Sequence, residues 1–422
     1  MPHQEALTLV AAVSPARLPV LEALLAELRN DPAHNPVLPF AEIPGCHFGR
    51  VLVLPPSRDL DGDFVGPELV VLSDCDGSAY DHLVQLVEVA GSGLDRLFSH
   101  CIGYPELPAS QPERLAFLTR KMVEVKANYV HRPGRGVAQI REEAMLRSAL
   151  RERYQAEGPR SSSALDARER LQDSLRQEPG WAWAFQAPPG TGIKRELENA
   201  LHALSVPAAA ALAGPVLAPL ALGLLGAVRL AEETDRADHI KPSAEHLSAL
   251  NALEDRTVHS GFTAGGYVKA GWMRQAVMRS VLSAIGYGTR HLFTRDSLAG
   301  VKTIHFARWI PLDGGRRVVF ASNFDGSVES YNNDFIDIVA WGLNLVFSNG
   351  HGYPKTRWLV KGGAEREQEF KDYLRRHQIP TPVWYSAYPQ LSAENVARNA
   401  RLRRGLRGKM NEKEARRWLS LL

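Results

Sequence analysis

Cysteine is scarce in this chain: three in 422 residues, Cys46, Cys75 and Cys101, and no two of them form a Cys-x-x-Cys. That excludes a cysteine-ligated zinc module and a disulfide scaffold, and it points to a reducing, cytoplasmic compartment. Excess charge is scarce too. Fifty Lys/Arg stand against 47 Asp/Glu, a net +3, so no global attraction to polyanions exists and nucleic acid is not an expected partner. None of the 14 histidines forms a His-x-x-x-His or His-Glu-x-x-His pair, which excludes the helical zinc-protease motif. The opening "MPHQEALTLVAAVS" lacks the basic stretch and long apolar run of a secretory leader.

One long segment lacks charge altogether. From Asn199 to Val228 there is no Asp, Glu, Lys or Arg. About 20 apolar residues suffice to span a bilayer, but Pro207, Pro215 and Pro219 interrupt this run. Three readings stay open: a pair of core helices, a re-entrant or monotopic membrane hairpin, and a single spanning helix. Trp181, Trp183 and Phe185 lie just upstream, as an interfacial aromatic belt would. Near the other end, Arg398–Arg417 holds nine Lys/Arg and two Glu. That stretch reads as a solvated helix face or as a contact for an anionic membrane surface.

What the sequence has is an internal repeat. Val71–Pro105 matches Phe320–Pro354 at a constant offset of 249, ungapped over 35 positions with eleven identities. The identities include Asp76/Asp325, Gly77/Gly326, Ser78/Ser327 and the closing Gly-Tyr-Pro. Upstream, His47-Phe48 matches His305-Phe306 at an offset of 258, so the first copy carries nine extra hairpin residues, as a loop permits. Each copy reads strand, helix, hairpin, helix, strand, the order of the split βαβ unit. The expected fold is α+β: two ferredoxin-like repeats, at 1–155 and 258–422, forming an intrachain α/β barrel around a pseudo-two-fold axis. A mostly helical, partly hydrophobic insertion, 156–257, separates them.

In the strand Thr303–Pro311, Ile304, Phe306 and Ile310 alternate with His305, Ala307 and Trp309. With the apolar set against the helices, His305 points between the sheets beside small Ala307, and His47 does so beside Gly49. Asp76 and Asp325 are placed to cap the helix that follows each Asp-Gly-Ser. Arg50 and Arg308 hold equal places, suited to a sheet-edge salt bridge.

Three chemical motifs fall short. "VVLSDCDGS" suggests the aspartate-nucleophile loop of haloacid-dehalogenase-like phosphatases, but Asp74 becomes Asn323 in the second copy. "PPGTGIK" (Pro188–Lys194) has Ile193 between Gly192 and Lys194 and no preceding strand. "DLDGD" (Asp59–Asp63) lacks the rest of a calcium loop.

"TIHFARWIPLDGGRRVVFASNFDGS", "ESYNNDFIDIVAWGL" and "TPVWYSAYP" resemble a group of uncharacterised bacterial proteins. More distantly, the double ferredoxin-like plan is similar to the dimeric α/β-barrel superfamily of dye-decolourising peroxidases and chlorite dismutases, which bind haem. The peroxidase Gly-x-x-Asp-Gly motif survives here only as Asp325-Gly326, with Ser322 in place of the first glycine. The resemblance implies Asp325 as proton shuttle, Arg308 as charge stabiliser, and His351 or His305 as the ligand to haem iron. His47, Trp309 and Asn323 would line the substrate pocket. The implied function is a haem-dependent, peroxidase-like oxidoreductase acting on an apolar small molecule or lipid near a membrane, possible as an oligomer. The rival reading is a non-enzymatic, membrane-peripheral protein whose barrel is a scaffold.

Overall fold

Eight strands form the centre of the molecule in a computed structural model that describes residues 3–156, 163–188, 193–255, 257–294 and 297–422. The strands are β1 (Gln4–Ala12), β2 (Cys46–Leu54), β3 (Glu68–Asp76), β4 (Ala127–Val130), β5 (His259–Tyr267), β6 (Ile304–Leu312), β7 (Arg317–Asp325) and β8 (Val383–Ser386). They build two four-stranded antiparallel sheets, ordered β1-β3-β2-β8 and β4-β6-β7-β5. Neither sheet closes into a barrel, which corrects the expected architecture.

Each half contributes three strands in the order of a split βαβ unit, and its fourth strand leaves for the opposite sheet. The chain passes the edge of β1 first, where Val10 N–H donates to Lys121 O and Val123 N–H to Thr8 O. It then crosses over, so that β4 pairs with β6. The second half repeats the path: Ile379 N–H donates to Thr263 O before β8 pairs with β2. Each sheet therefore needs a strand from the other half.

Thirteen helices surround the sheets among the described residues. In order they are α1 (Leu18–Leu28), α2 (Ala79–Ala90), α3 (Ser92–Phe98), α4 (Gln111–Arg120), α5 (Val137–Ala156), α6 (Ala164–Arg176), α7 (Ile193–Thr234), α8 (Ala244–Asn251), α9 (Trp272–His291), α10 (Val328–Phe347), α11 (Glu367–His377), α12 (Ala393–Arg404) and α13 (Glu412–Leu419). The apolar core between the sheets is small: Leu52, Leu54, Val70 and Leu72 meet Ile310, Leu312, Val319 and Ala321. Larger cores lie outside the sheets, beneath the helices.

The expected alternation in β6 is inverted. Arg308 and Ile310 face the other sheet, whereas Trp309 lies under α10. A bulge between Ile304 and Phe306 restores His305 to the inner face. Its twin lies between Cys46 and Phe48 and does the same for His47. Gly49 does not leave room for His47. A Cβ there would come within 2.4 Å of the Phe40 ring.

The charge-free run is neither a core pair nor a hairpin. It belongs to α7, a single 42-residue helix, about 63 Å long at 1.5 Å per residue. Residues 204–212 and 215–223 are exposed round the whole circumference. The aromatic trio upstream does not form a belt. Trp181, Trp183 and Phe185 pack on a separate helical core built from α5, α6, α12 and α13. Arg403 of the basic stretch is buried there, over Trp183 and against Glu143, while Arg404, Lys409, Lys413, Arg416 and Arg417 remain exposed. The glycines of "PPGTGIK" lie outside the described residues.

Candidate functional site

The inner faces of the two sheets carry polar groups that come in repeat-related pairs. Midway along the strands, Arg308 donates to Leu7 O at 2.8 Å and to the Asp74 carboxylate. Arg50, its counterpart, donates to Phe262 O at 2.9 Å, Thr263 Oγ1 at 2.7 Å, Ser322 O at 2.8 Å and the Asn323 side-chain oxygen. Asn323 Nδ2 closes the chain by donating to Asp74 Oδ2 at 2.8 Å. Both arginines are thus buried between the sheets and not at an edge. Asn323 belongs to this network, not to a pocket wall.

At one end of the sandwich lie two His–Asp pairs. His47 Nε2 is 3.0 Å from Asp76 Oδ1, and His305 Nε2 is 2.7 Å from Asp325 Oδ1. A carboxylate only accepts, so both imidazoles carry hydrogen on Nε2. The second oxygen of each carboxylate takes a helix N-terminus: Asp76 Oδ2 accepts from Val137 N–H of α5, and Asp325 Oδ2 from Ala393 N–H of α12. These are not the helices expected from the sequence. Ser78 and Ser327 cap those themselves. Burial alone would raise the Asp76 carboxyl, but the bonds from His47, Gln4 and Val137 outweigh it and hold its pKa below the usual range. Tyr388 stands 3.0 Å from His47 Nδ1. Burial first, and then the surrounding aspartates, raise its phenol, so it keeps its proton and donates.

The two His–Asp pairs also differ in the residue that faces the carboxylate. Strand β1 brings Gln4 opposite Asp76, and β5 brings His259 opposite Asp325. Gln4 Nε2 donates to Asp76 Oδ1 at 2.8 Å. His259 Nε2 lies 3.5 Å from Asp325 Oδ1 and donates to Leu391 O at 2.6 Å. Its Nδ1 is 3.0 Å from Ser386 Oγ. Burial, then the adjacent His305, push its pKa down to about 3, so it is neutral. His259, His305 and Asp325 each offer one donor atom, all within 4.8 Å of one another.

Sequence reasoning missed His259 because it expected a first strand in the second copy, β5, but assigned no residues to it. Gly261, Gly265 and Gly266 dilute the strand pattern there, and Gly261 is needed because a Cβ would meet the Trp384 indole at 2.5 Å. Aligning "HSGFTAGGY" with "QEALTLVAA" by position, not by identity, is the signal that finds it.

Comparison with protein-family models, with curated proteins and with solved structures gives no match for this chain.

The residues expected to hold haem do not converge. His351 is exposed and its N–H donates to Tyr267 O, at the far end of β5 from His259. Eight residues of strand, about 26 Å, separate that end from Asp325 and His305. The cavity beside His305 and His47 measures about 20 Å³, room for one water. Trp309 lines a different and apolar pocket, of about 220 Å³, on the outer face of the second sheet. Phe262, Phe293, Phe320, Phe335 and Trp341 share that lining, which among the described residues has no His, Cys or Met to ligate iron, and its one tyrosine, Tyr331, has its hydroxyl 2.7 Å from Ser322 Oγ. As arranged, these residues do not fit a haem.

Proposed function

We propose that the protein lies on a membrane surface through α7 and takes an apolar molecule into the pocket beneath α9 and α10. The observation that carries this is α7 itself. Leu212 is 85% exposed, and Leu204, Val216, Leu220 and Leu222 are similarly bare. Apolar side chains ring the helix, so a protein groove, which covers one face, leaves the rest in water. Sunk in plane beneath the headgroups, the helix meets hydrocarbon on every side.

Both ends of α7 are tied to the second half. Glu232 accepts from Thr356 Oγ1 and from the Trp358 and Leu359 amides. At the other end Arg290 donates to Asn199 Oδ1, and Tyr287 O–H donates to Ala203 O. That carbonyl is free because Pro207, four residues on, has no N–H to give it. A helix whose two ends rest on one body favours lying within the interface over crossing it. The pocket is close at hand. It opens between α9, which α7 touches, and α10, beside Trp341, itself 53% exposed. A volume of about 220 Å³ suits one ring or a short alkyl segment, given that a cavity of about 150 Å³ accepts benzene. The two halves also read as copies of a ferredoxin-like unit that exchange their last strands.

Vesicle sedimentation tests the membrane reading. The full-length protein is expected to pellet with phospholipid vesicles, and salt should weaken this little because apolar burial is not screened. Each charge placed at the centre of an inserted helix costs about 2.5–3.5 kcal/mol. Leu212→Lys with Leu220→Lys should therefore leave the protein in the supernatant, still folded. A wild type that stays monomeric in the supernatant, or a double variant that pellets as before, would overturn the proposal.

A further inference from the structure

We propose that His259, His305 and Asp325 form a site for one divalent transition-metal ion of the zinc class. The site shares no residue with α7 or the apolar pocket, so it stands apart from the membrane reading.

The donor set is two imidazoles and a carboxylate, the mixture that zinc accepts when it keeps a fourth position for another ligand. His305 Nε2 and His259 Nε2 lie 2.7 and 3.5 Å from Asp325 Oδ1, and the imidazole rings have centroids 4.4 Å apart. Ligands on a tetrahedral zinc are separated by about 3.3 Å, from bonds of about 2.0–2.1 Å. Small side-chain movements reach that spacing. Two of the three ligands already have the outer contacts that orient a ligand. Asp325 Oδ2 is fixed by Ala393 N–H at 2.8 Å, and His259 Nδ1 by Ser386 Oγ at 3.0 Å.

Two nitrogens must first give up a hydrogen. His305 Nε2–H now donates to Asp325 Oδ1 at 2.7 Å; its ring hydrogen moves to Nδ1, and the ion takes that hydrogen's place between Nε2 and the carboxylate. His259 Nε2–H now donates to Leu391 O at 2.6 Å. Metal at Nε2 requires the other tautomer. The ring hydrogen moves to Nδ1, and the Ser386 hydroxyl, now a donor to Nδ1, becomes its acceptor. No oxidation or net bond change follows.

The first half supplies the second argument. There Gln4, His47 and Asp76 occupy the same three places. Gln4 Nε2 alone bonds both Asp76 Oδ1 and Arg135 O, at 2.8 and 3.1 Å. An amide thus meets the hydrogen-bonding requirement of this corner. The imidazole at 259 exceeds it, and what it adds is a metal-binding nitrogen.

The test uses the full-length protein, stripped with chelator and titrated with Co²⁺, read by visible d–d absorption, with Zn²⁺ as competitor. One tetrahedral equivalent per chain is expected. His259→Gln copies the first half, so it should fold, and it should bind at least about 100-fold more weakly, at or past the top of the 10–100-fold range for outer-shell changes. Gln4→His should create a second equivalent with His47 and Asp76, which keeps the idea testable should His259→Gln misfold. His202→Ala removes the surface His202–His291 pair and should change nothing. Absence of a Co²⁺ spectrum, a spectrum lost in His202→Ala, or wild-type affinity in His259→Gln would refute the site.

Discussion

Asp74→Asn isolates the one carboxylate of the buried network between the sheets. Asp74 and Arg308 are 2% and 3% exposed. With Arg50 they form a cluster of two positive charges and one negative. Asp74 accepts on both oxygens, from Arg308 on one and from Asn323 Nδ2 on the other. An amide at 74 has a single oxygen, so it satisfies one donor and turns its own NH₂ toward the other. Rotating Asn323 does not help, because its oxygen already accepts from Arg50 and from Trp384 Nε1. The variant therefore leaves two buried guanidiniums without a counter-charge and one donor facing a donor.

Removing one partner of a buried pair costs about 3–5 kcal/mol, a large part of the 5–15 kcal/mol that holds a native domain together. Urea denaturation followed by circular dichroism reads this as a fall in midpoint at unchanged slope. Arg308→Met alone should cost a similar amount. The double variant, which removes both charges, should cost at least about 2 kcal/mol less than the sum of the singles. A loss below about 1 kcal/mol for Asp74→Asn, or strict additivity in the double variant, would show that the cluster is solvated and refute the reasoning.

Two further outcomes follow from single buried residues. His82 is buried, and neither ring nitrogen has a hydrogen-bond partner among the described residues; burial, then His47, push its pKa down to about 4. The unfolded chain takes up its proton near pH 6.5 and the folded one does not, so stability is full above pH 6.5 and falls as pH drops toward 4, by up to about 1.4 kcal/mol per unit. In His82→Leu the urea midpoint should depend less on pH across that window, and an unchanged dependence would remove His82 from the account. Gly93→Ala should destabilise by at least about 1–3 kcal/mol, because its Cβ would lie 2.1 Å from Val37 O, a backbone atom. At Gly342, its repeat partner, a Cβ would meet a Val339 methyl at 2.8 Å and, among the described residues, no backbone atom outside its own helix turn; Gly342→Ala should therefore cost less than Gly93→Ala, and equal melting shifts for the two would contradict the packing.

Much of the mixed fold was legible because the repeat is long and ungapped, and the hairpins and second helices fall where its pattern puts them. The strand exchange was not legible. β4 and β8 are four residues each, and nothing local distinguishes a strand that returns to its own sheet from one that crosses. The facing of β6 was misread for a physical reason. Alternation assumes that the inner face is polar and the outer apolar, but here both faces are buried and Arg308 is paired across the gap. His305 reached the inner face through a bulge, which strict alternation cannot represent. For the site, the Asp and His of each repeat were visible as identities. His259 was invisible, because its counterpart is Gln4 and divergence at a duplicated position leaves no match. The exposure of α7 depends on what packs over it, and hydropathy alone reads a core helix and a bare one alike.

In the sequence, the mismatch of Asp74 with Asn323 argues against a phosphatase-type aspartate loop. Its place in the fold gives it a cause. The residues are separated by 249 positions, the repeat offset itself, and they touch each other across the pseudo-two-fold axis. A residue that meets its own duplicate is under a constraint that no other residue feels, since an identical pair must be compatible with itself. Two aspartates there would set like charges about 3 Å apart, and one would have to stay protonated. Two asparagines would leave both arginines without a counter-charge. One acid and one amide give a donor facing an acceptor and still neutralise one guanidinium. Phe48 and Phe306 also meet across the axis, with ring centroids 5.6 Å apart and nearly edge to face. Edge-to-face packing suits two equal rings, so this pair can be identical without conflict. Along the axis, then, the chemistry of self-contact separates the pair that must differ from the pair that can stay the same.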